Sequence, residues 1–175
     1  MILYLLEKAV PSKNELQTHY KDIAQMSIQL QREWREACSQ EIEILKQRNI
    51  YELVPLSKGA KMVKNRWVFA IKSDGRKKAR LVAKVFSQAE GIDYNEVFSP
   101  VIRYETVRTL LAVAALENWK IFALDIKSAF LYGELDETIY MEQPQGFVVK
   151  GQEDKVLLLN RALYGLKQAA RAWWQ

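Results

Sequence analysis

Apolar residues recur at steps of three and four between residues 31 and 48, which is the spacing of one face of an α-helix. Asn49 follows this segment, and asparagine tolerates the left-handed backbone that ends many helices. The pattern therefore predicts a helix over 31–48 with one mostly apolar stripe facing the core. The stripe consists of Trp34, Ala37, Cys38, Glu41, Ile42 and Leu45.

Strand patterns follow this helix. Residues 51–54 predict a short strand ended by Pro55, and residues 66–72 predict a strand with Trp67, Phe69 and Ile71 on one face. Ser73-Asp74-Gly75 supplies a turn, and residues 76–86 return as the second strand of a hairpin. Because side chains alternate across a strand, the returning strand has one apolar face and one face that carries Lys78, Arg80 and Lys84.

The second half of the chain predicts further helices and strands. We expect a buried helix over about 106–118, a strand over 120–126 with Asp125 near its end, two more strands over 138–142 and 155–159, and a final helix after Gly165. The inward residues of the helix over 106–118 are expected to be Val107, Leu110, Leu111, Ala114 and Ala115. The adjacent acids at 136–137 and 153–154 fall in predicted turns or loops. Helices and strands without regular βαβ order favour an α+β fold.

The first thirty residues are interpreted as an N-terminal extension, and residues 31–175 as one domain. Ser12 and Glu15 have the spacing of a capping box, which predicts a helix that starts near Lys13. A chain of 175 residues is long enough to bury one core.

Composition excludes several classes of protein. The longest purely apolar run, residues 110–116, is too short to span a bilayer, and the N-terminus lacks the pattern of a signal peptide. We therefore expect an intracellular protein, in the cytoplasm or the nucleus. The single cysteine and single histidine exclude an internal disulfide and a zinc site, so any metal must be held by oxygen.

Positive charge is concentrated in the predicted hairpin. Residues 61–84 hold nine of the 26 Lys and Arg side chains but one of the 21 Asp and Glu side chains. Such a patch is either a solvated hairpin face or a binding surface for a phosphate-rich partner.

Asp125 is the most informative single residue. An apolar run delivers it to a predicted strand end, and small residues and then Phe130 follow. This order suits a metal-bound acid whose neighbouring backbone amides receive a phosphate. Taken alone, the pattern favours Asp125 as a strand-end acid that caps the next turn and Phe130 as a core residue.

Six ordered blocks of sequence change this picture. Over about 31–175 the chain resembles the reverse transcriptase domain of copia-type LTR retrotransposons. The blocks are Trp67-Val68-Phe69, residues 78–84, residues 91–101 (Gly-Ile-Asp-Tyr-Asn-Glu-Val-Phe-Ser-Pro-Val), residues 124–133, residues 139–144 and residues 163–169 (Leu-Tyr-Gly-Leu-Lys-Gln-Ala).

The resemblance implies an α+β right-hand polymerase, of which this chain holds the fingers and part of the palm and is truncated before the Tyr-x-Asp-Asp strand pair. It implies RNA-directed DNA polymerisation with an RNA template, a DNA primer and a dNTP as partners. Mg²⁺ (or Mn²⁺) would be bound by the carboxylate of Asp125 and the backbone carbonyl of Ile126.

The resemblance also assigns residues to the nucleotide. Arg80 would contact the triphosphate with help from Lys78 or Lys84, and the backbone near Ser128 and Ala129 would face it. Phe130 would exclude a ribose 2′-hydroxyl. Residues Tyr164, Gly165 and Lys167 would contact the template and base pair.

Three departures from the family pattern limit these implications. Val85 stands where the family usually has Gly, Ala170 stands where it usually has Pro, and Asp-Asp occurs nowhere in the sequence. One carboxylate cannot hold a two-metal site, so we expect no polymerisation by this chain alone. Two alternatives stay open: a basic module that binds nucleic acid without sequence specificity, and a relic without function.

Overall fold

The computed structural model describes residues 15–16, 19–85, 97–100 and 102–175. It confirms the predicted mixture of helices and strands. The strands are β1 (Glu15–Leu16), β2 (Tyr51–Pro55), β3 (Met62–Ile71), β4 (Lys77–Lys84), β5 (Glu134–Met141) and β6 (Lys155–Arg161). The helices are α1 (Ile28–Gln47), α2 (Tyr104–Leu116) and α3 (Ala169–Trp174), with short 3-10 helices at Tyr20–Gln25 and Ala129–Tyr132.

The six strands of the described residues form one sheet in the order β1-β3-β5-β6-β2, with β4 also paired to β3. β3 joins the two parts of the sheet because it is ten residues long. Its first residues pair in parallel with β5, and the remainder pairs antiparallel with β4. Asn65 extends the contact between β3 and β5: its backbone N–H donates to the Glu142 carboxylate at 3.0 Å, and its side-chain amide donates to the Glu142 carbonyl at 2.8 Å.

α1 confirms the helix predicted from periodicity. All six residues of the predicted stripe are buried, and the Trp34 ring packs edge-on against Phe69 with centroids 5.0 Å apart. The Ser27 side chain caps the N-terminus by accepting from the Leu30 N–H. Asn49 follows the C-terminus with a φ of 51°, as its residue type predicted. The helix thus covers β4 with its apolar stripe.

The hairpin and the last two strands are also confirmed. Gly75 turns the chain between β3 and β4 with a φ of 81°. On the core side of the hairpin, Trp67, Phe69 and Leu81 are buried. The turn between β5 and β6 closes with a hydrogen bond from the Phe147 N–H to the Pro144 carbonyl.

The expectation for residues 106–126 was wrong in two respects. Residues 120–126 form no strand, because a strand needs a neighbour to pair with and none of the described strands pairs there. α2 forms, but of its five predicted inward residues only Val107 and Ala114 are buried; the Leu110 and Leu111 side chains are 47% and 43% exposed. The described elements leave most of this apolar face uncovered.

Three smaller expectations also change. Residues 15 and 16, where a helix was predicted, pair with Phe69 and Ala70 of β3 instead, while Lys13 lies outside the described residues. Further along the predicted N-terminal extension, Ile23 is buried in the core. Asp136 and Glu137 lie within β5 rather than in a turn. Within the described ranges, no helix has both the length and the apolar character that crossing a membrane requires.

Candidate functional site

The cations of β4 differ in their surroundings. Lys78 and Arg80 are half-buried, whereas Lys84 is exposed. The Arg80 guanidinium lies 5.7 Å from the centre of the Tyr164 ring, and its Nε is buried without a hydrogen-bond partner. Burial, together with the positive charges of Arg80 and Lys72, lowers the pKa of Lys78. The strand therefore presents concentrated positive charge beside an aromatic ring.

The turn at Tyr164 and Gly165 lies directly against β4. The Ala83 N–H donates to the Tyr164 carbonyl at 2.8 Å. Gly165 has a φ of 91°, and a Cβ at this position would overlap the Ala83 carbonyl oxygen. Glycine is therefore required here both for its backbone conformation and for the space that it leaves. The contact of this turn with the cationic strand is a finding of the structure.

The segment after Asp125 folds back toward the same place. Ser128 adopts a left-handed conformation (φ 58°, ψ 45°), which is uncommon for a residue with a side chain. Ala129 is fully buried, and the Phe130 ring packs edge-on against Tyr164 with centroids 6.2 Å apart. Arg80, Tyr164 and Phe130 therefore form one cluster, called below the Arg80–Tyr164–Phe130 cluster.

Two residues of the α1 region contact the Ser128 turn and β4, and the sequence did not identify either as part of the site. The Arg48 guanidinium donates to the carbonyls of Lys127 and Ser128 at 3.5 and 3.4 Å and lies 4.6 Å from the centre of the Tyr132 ring. Glu41, only 8% exposed, accepts from the Leu81 N–H at 3.4 Å. A charged residue inside an apolar stripe is a signal that could have identified Glu41; nothing in the sequence pattern distinguished Arg48.

Two opposing influences act on the pKa of Glu41. Burial raises the pKa of its carboxyl group. The hydrogen bond from Leu81 and the positive charges of Lys78, Arg80 and Arg48 act in the opposite direction. Glu41 is therefore a buried acid within reach of the cations on which the candidate site depends.

The predicted metal ligands do not assemble into a metal site. Asp125 and Ile126 are exposed on a segment without regular structure. Across the residues that the structure describes, no group of three or more His, Cys, Asp and Glu side chains could hold a metal ion. These residues therefore do not fit a two-metal centre. Lys167, predicted to contact the template, is exposed beside Gly165.

The arrangement suits a ligand that carries both phosphate and a ring. A guanidinium provides planar donors that match phosphate oxygens, and positive charge on the same strand adds attraction. Aromatic side chains offer surfaces for packing against a sugar or base. The geometry thus brings together residues predicted to contact phosphate, sugar and base, namely Arg80, Phe130 and Tyr164.

Comparison with known proteins agrees with this chemistry. The model of the family "Reverse transcriptase (RNA-dependent DNA polymerase)" matches residues 48–175. Similar curated proteins include the "Retrovirus-related Pol polyprotein from transposon TNT 1-94" of Nicotiana tabacum, 49% identical over 143 residues. Others are the "Retrovirus-related Pol polyprotein from transposon RE2" and that from transposon RE1, both of Arabidopsis thaliana and both 46% identical over 147 residues.

These alignments cover most of the chain but little of the relatives. They span 79% of this chain and 11% of the tobacco polyprotein, and 81% of this chain and 10% of each Arabidopsis polyprotein. No solved structure matches the chain.

Proposed function

We propose that this chain supplies the fingers and part of the palm of a reverse transcriptase. The proposal follows from its family, since the chain belongs to the reverse transcriptase (RNA-dependent DNA polymerase) family found in Pol polyproteins of copia-type retrotransposons. In this proposal the Arg80–Tyr164–Phe130 cluster receives an incoming dNTP. An RNA template and a DNA primer lie beside the turn at Tyr164 and Gly165, with Lys167 next to them.

One observation carries this proposal. Arg80 on β4 and Phe130 after Asp125 are far apart in sequence, yet both lie against the same Tyr164 ring, at 5.7 and 6.2 Å. By family resemblance the first belongs to the triphosphate and the second to the sugar. A nucleotide has this order of groups, so one ligand could contact both residues.

The remaining assignments follow from position. The Arg80 guanidinium would bind phosphate oxygens, and Lys78 and Lys84 would add attraction from the same strand face. The backbone at Ser128 and Ala129 would lie beside the triphosphate, and Phe130 would exclude a 2′-hydroxyl. Gly165 would let the backbone approach the base pair because it carries no side chain.

The direct test is binding of dTTP by the 175-residue chain. Arg80→Gln removes the charge and the planar donor fork, so we expect the dissociation constant to rise about tenfold or more. Arg66→Gln removes one charge from an exposed position of the same hairpin and serves as the matched control. Equal weakening by both substitutions, or none by either, would refute the assignment of Arg80.

Catalysis is a separate question from binding. Reverse transcriptases use divalent metal ions. In this chain the candidate ligands are the Asp125 carboxylate and the Ile126 carbonyl, and one carboxylate is too few for a two-metal site. We therefore expect no primer extension by these 175 residues alone. Metal-dependent dNTP incorporation that is lost in Asp125→Ala would overturn this expectation.

A second function is favoured by the cations on one face of β4, where Lys84 is exposed and Lys78 and Arg80 are half-buried. Such a surface would bind nucleic acid without sequence preference, and its affinity would fall with salt because phosphate contacts release counterions. Replacing Lys78, Arg80 and Lys84 by Ala should reduce the slope of log affinity against log salt by about 0.7 for each lost contact to single strands. An unchanged slope would remove this alternative.

A further inference from the structure

β4 has an edge that other parts of the chain close. Within the described residues β4 pairs only with β3, so alternate N–H groups along its other edge need acceptors. The Leu81 N–H donates to the Glu41 carboxylate, and the Ala83 N–H donates to the Tyr164 carbonyl. Arg80 precedes the first of these bonds, so the place of its side chain depends on how this edge is held.

The turn at Ser128 is held from the same direction. Arg48 follows α1 directly and donates to the carbonyls of Lys127 and Ser128. Its guanidinium also lies over the Tyr132 ring at 4.6 Å, so a cation–π contact adds to these hydrogen bonds. Because Ser128 adopts a left-handed backbone that needs support from its surroundings, Arg48 is well placed to stabilise the turn that presents Phe130.

We propose that α1 and its C-terminal cap position the two halves of the nucleotide site, with Glu41 aligning β4 and Arg80, and Arg48 aligning the turn of Ser128 and Phe130. The two residues are seven positions apart, which is about two helical turns and places them on one side of the helix. Both are positioning residues, since they act through β4 and through the Ser128 turn. The inference rests on the proposed nucleotide site.

Charge makes this role testable. A carboxylate beside cations weakens their attraction for phosphate, so by Coulomb's law alone the loss of Glu41 should strengthen anion binding. If Glu41 instead aligns β4, its loss should weaken binding although a repulsive charge has been removed. The two explanations therefore predict opposite signs.

The first experiment measures binding of inorganic tripolyphosphate, without metal, to the 175-residue chain. Glu41→Leu removes the acceptor for the Leu81 N–H, and we expect binding to weaken about tenfold. Glu41→Gln keeps an acceptor oxygen at this position, so it should restore the affinity to within about twofold of the wild type. Glu41→Leu binding as tightly as the wild type, or more tightly, would overturn the role of Glu41.

The second experiment uses a substitution that keeps the charge. Arg48→Lys retains the positive charge but loses the planar group that reaches two carbonyls and the Tyr132 ring, so we expect about tenfold weaker binding. Arg32→Lys changes an exposed arginine at the other end of α1 and should have no effect. Because Arg48→Lys is mild, it keeps the test decisive if Glu41→Leu fails to fold.

The outcomes separate this inference from the function on which it rests. If the wild-type chain does not bind tripolyphosphate, the nucleotide site is wrong and the inference fails with it. If Arg80→Gln weakens binding but Arg48→Lys and Glu41→Leu bind like the wild type, the site stands and α1 does not position it. Weakening by Arg48→Lys and Glu41→Leu, with recovery in Glu41→Gln, is the result expected.

Discussion

At the scale of single residues, Gly165 and Gly75 share a left-handed backbone but differ in their surroundings. Their φ angles are 91° and 81°; a Cβ on Gly165 would meet Ala83 and Val82, whereas a Cβ on Gly75 would meet nothing within 4 Å. The two glycines therefore separate the cost of backbone conformation from the cost of the contact with β4.

We predict that Gly75→Ala lowers the free energy of unfolding by about 1 kcal/mol, the usual cost of this backbone conformation for alanine. Gly165→Ala should cost at least about 2–3 kcal/mol, because the turn must also move away from β4. Urea denaturation of both variants measures the difference. Equal costs would mean that the Gly165 turn does not lie against Ala83.

The reactivity of Cys38 tests whether α1 packs against the core. Its side chain is fully buried, and burial raises the pKa of the thiol to about 12. The thiol is therefore protonated at pH 8, and we predict that iodoacetamide alkylates the folded chain at least about a hundredfold more slowly than the chain unfolded in urea. Comparable rates in both states would show that α1 does not cover this residue.

At the scale of elements, α1 and α2 differ in how their apolar residues are used. Leu45 of α1 is fully buried, whereas Leu110 and Leu116 of α2 are 47% and 84% exposed. Leu45→Ala should lower the free energy of unfolding by about 2–5 kcal/mol, as for other buried leucines. Leu110→Ala and Leu116→Ala should each cost less than about 0.5 kcal/mol. A cost at Leu110 similar to that at Leu45 would show that α2 is packed in solution.

The same contrast explains which elements the sequence could predict. The stripe of α1 and the turn at Gly75 are local patterns, and a local pattern carries its own evidence for a helix or a hairpin. Whether residues 120–126 form a strand, or whether Leu110 is covered, depends on partners elsewhere in the chain. Periodicity shows that a residue is apolar and in phase, but it does not supply the surface against which that residue packs.

Most residues of the candidate site could be predicted from the sequence, but their contacts could not. Candidate roles for Arg80, Phe130 and Gly165 could be assigned by family resemblance, since each residue stands at a fixed place in an ordered block. Their meeting at Tyr164 is a long-range contact that no local pattern encodes. Glu41 stands out in the sequence as a charged residue within the apolar stripe of α1. Its hydrogen bond to Leu81, however, depends on how α1 packs against β4.

At the scale of the whole molecule, one sheet and α1 form the core, and the candidate site lies where β4, the Ser128 turn and the Gly165 turn meet. Three separate segments of the chain contribute to this site. A nucleotide bound at the proposed site would therefore place its phosphate near Arg80 and its sugar near Phe130.

The most direct test of that claim is discrimination between dUTP and UTP, which differ only at the 2′-hydroxyl. We predict that the wild-type chain binds dUTP about tenfold more tightly than UTP, and that Phe130→Val reduces this preference to within about twofold while leaving dUTP affinity nearly unchanged. Equal affinities of the wild-type chain for dUTP and UTP, or a preference that survives in Phe130→Val, would contradict the account.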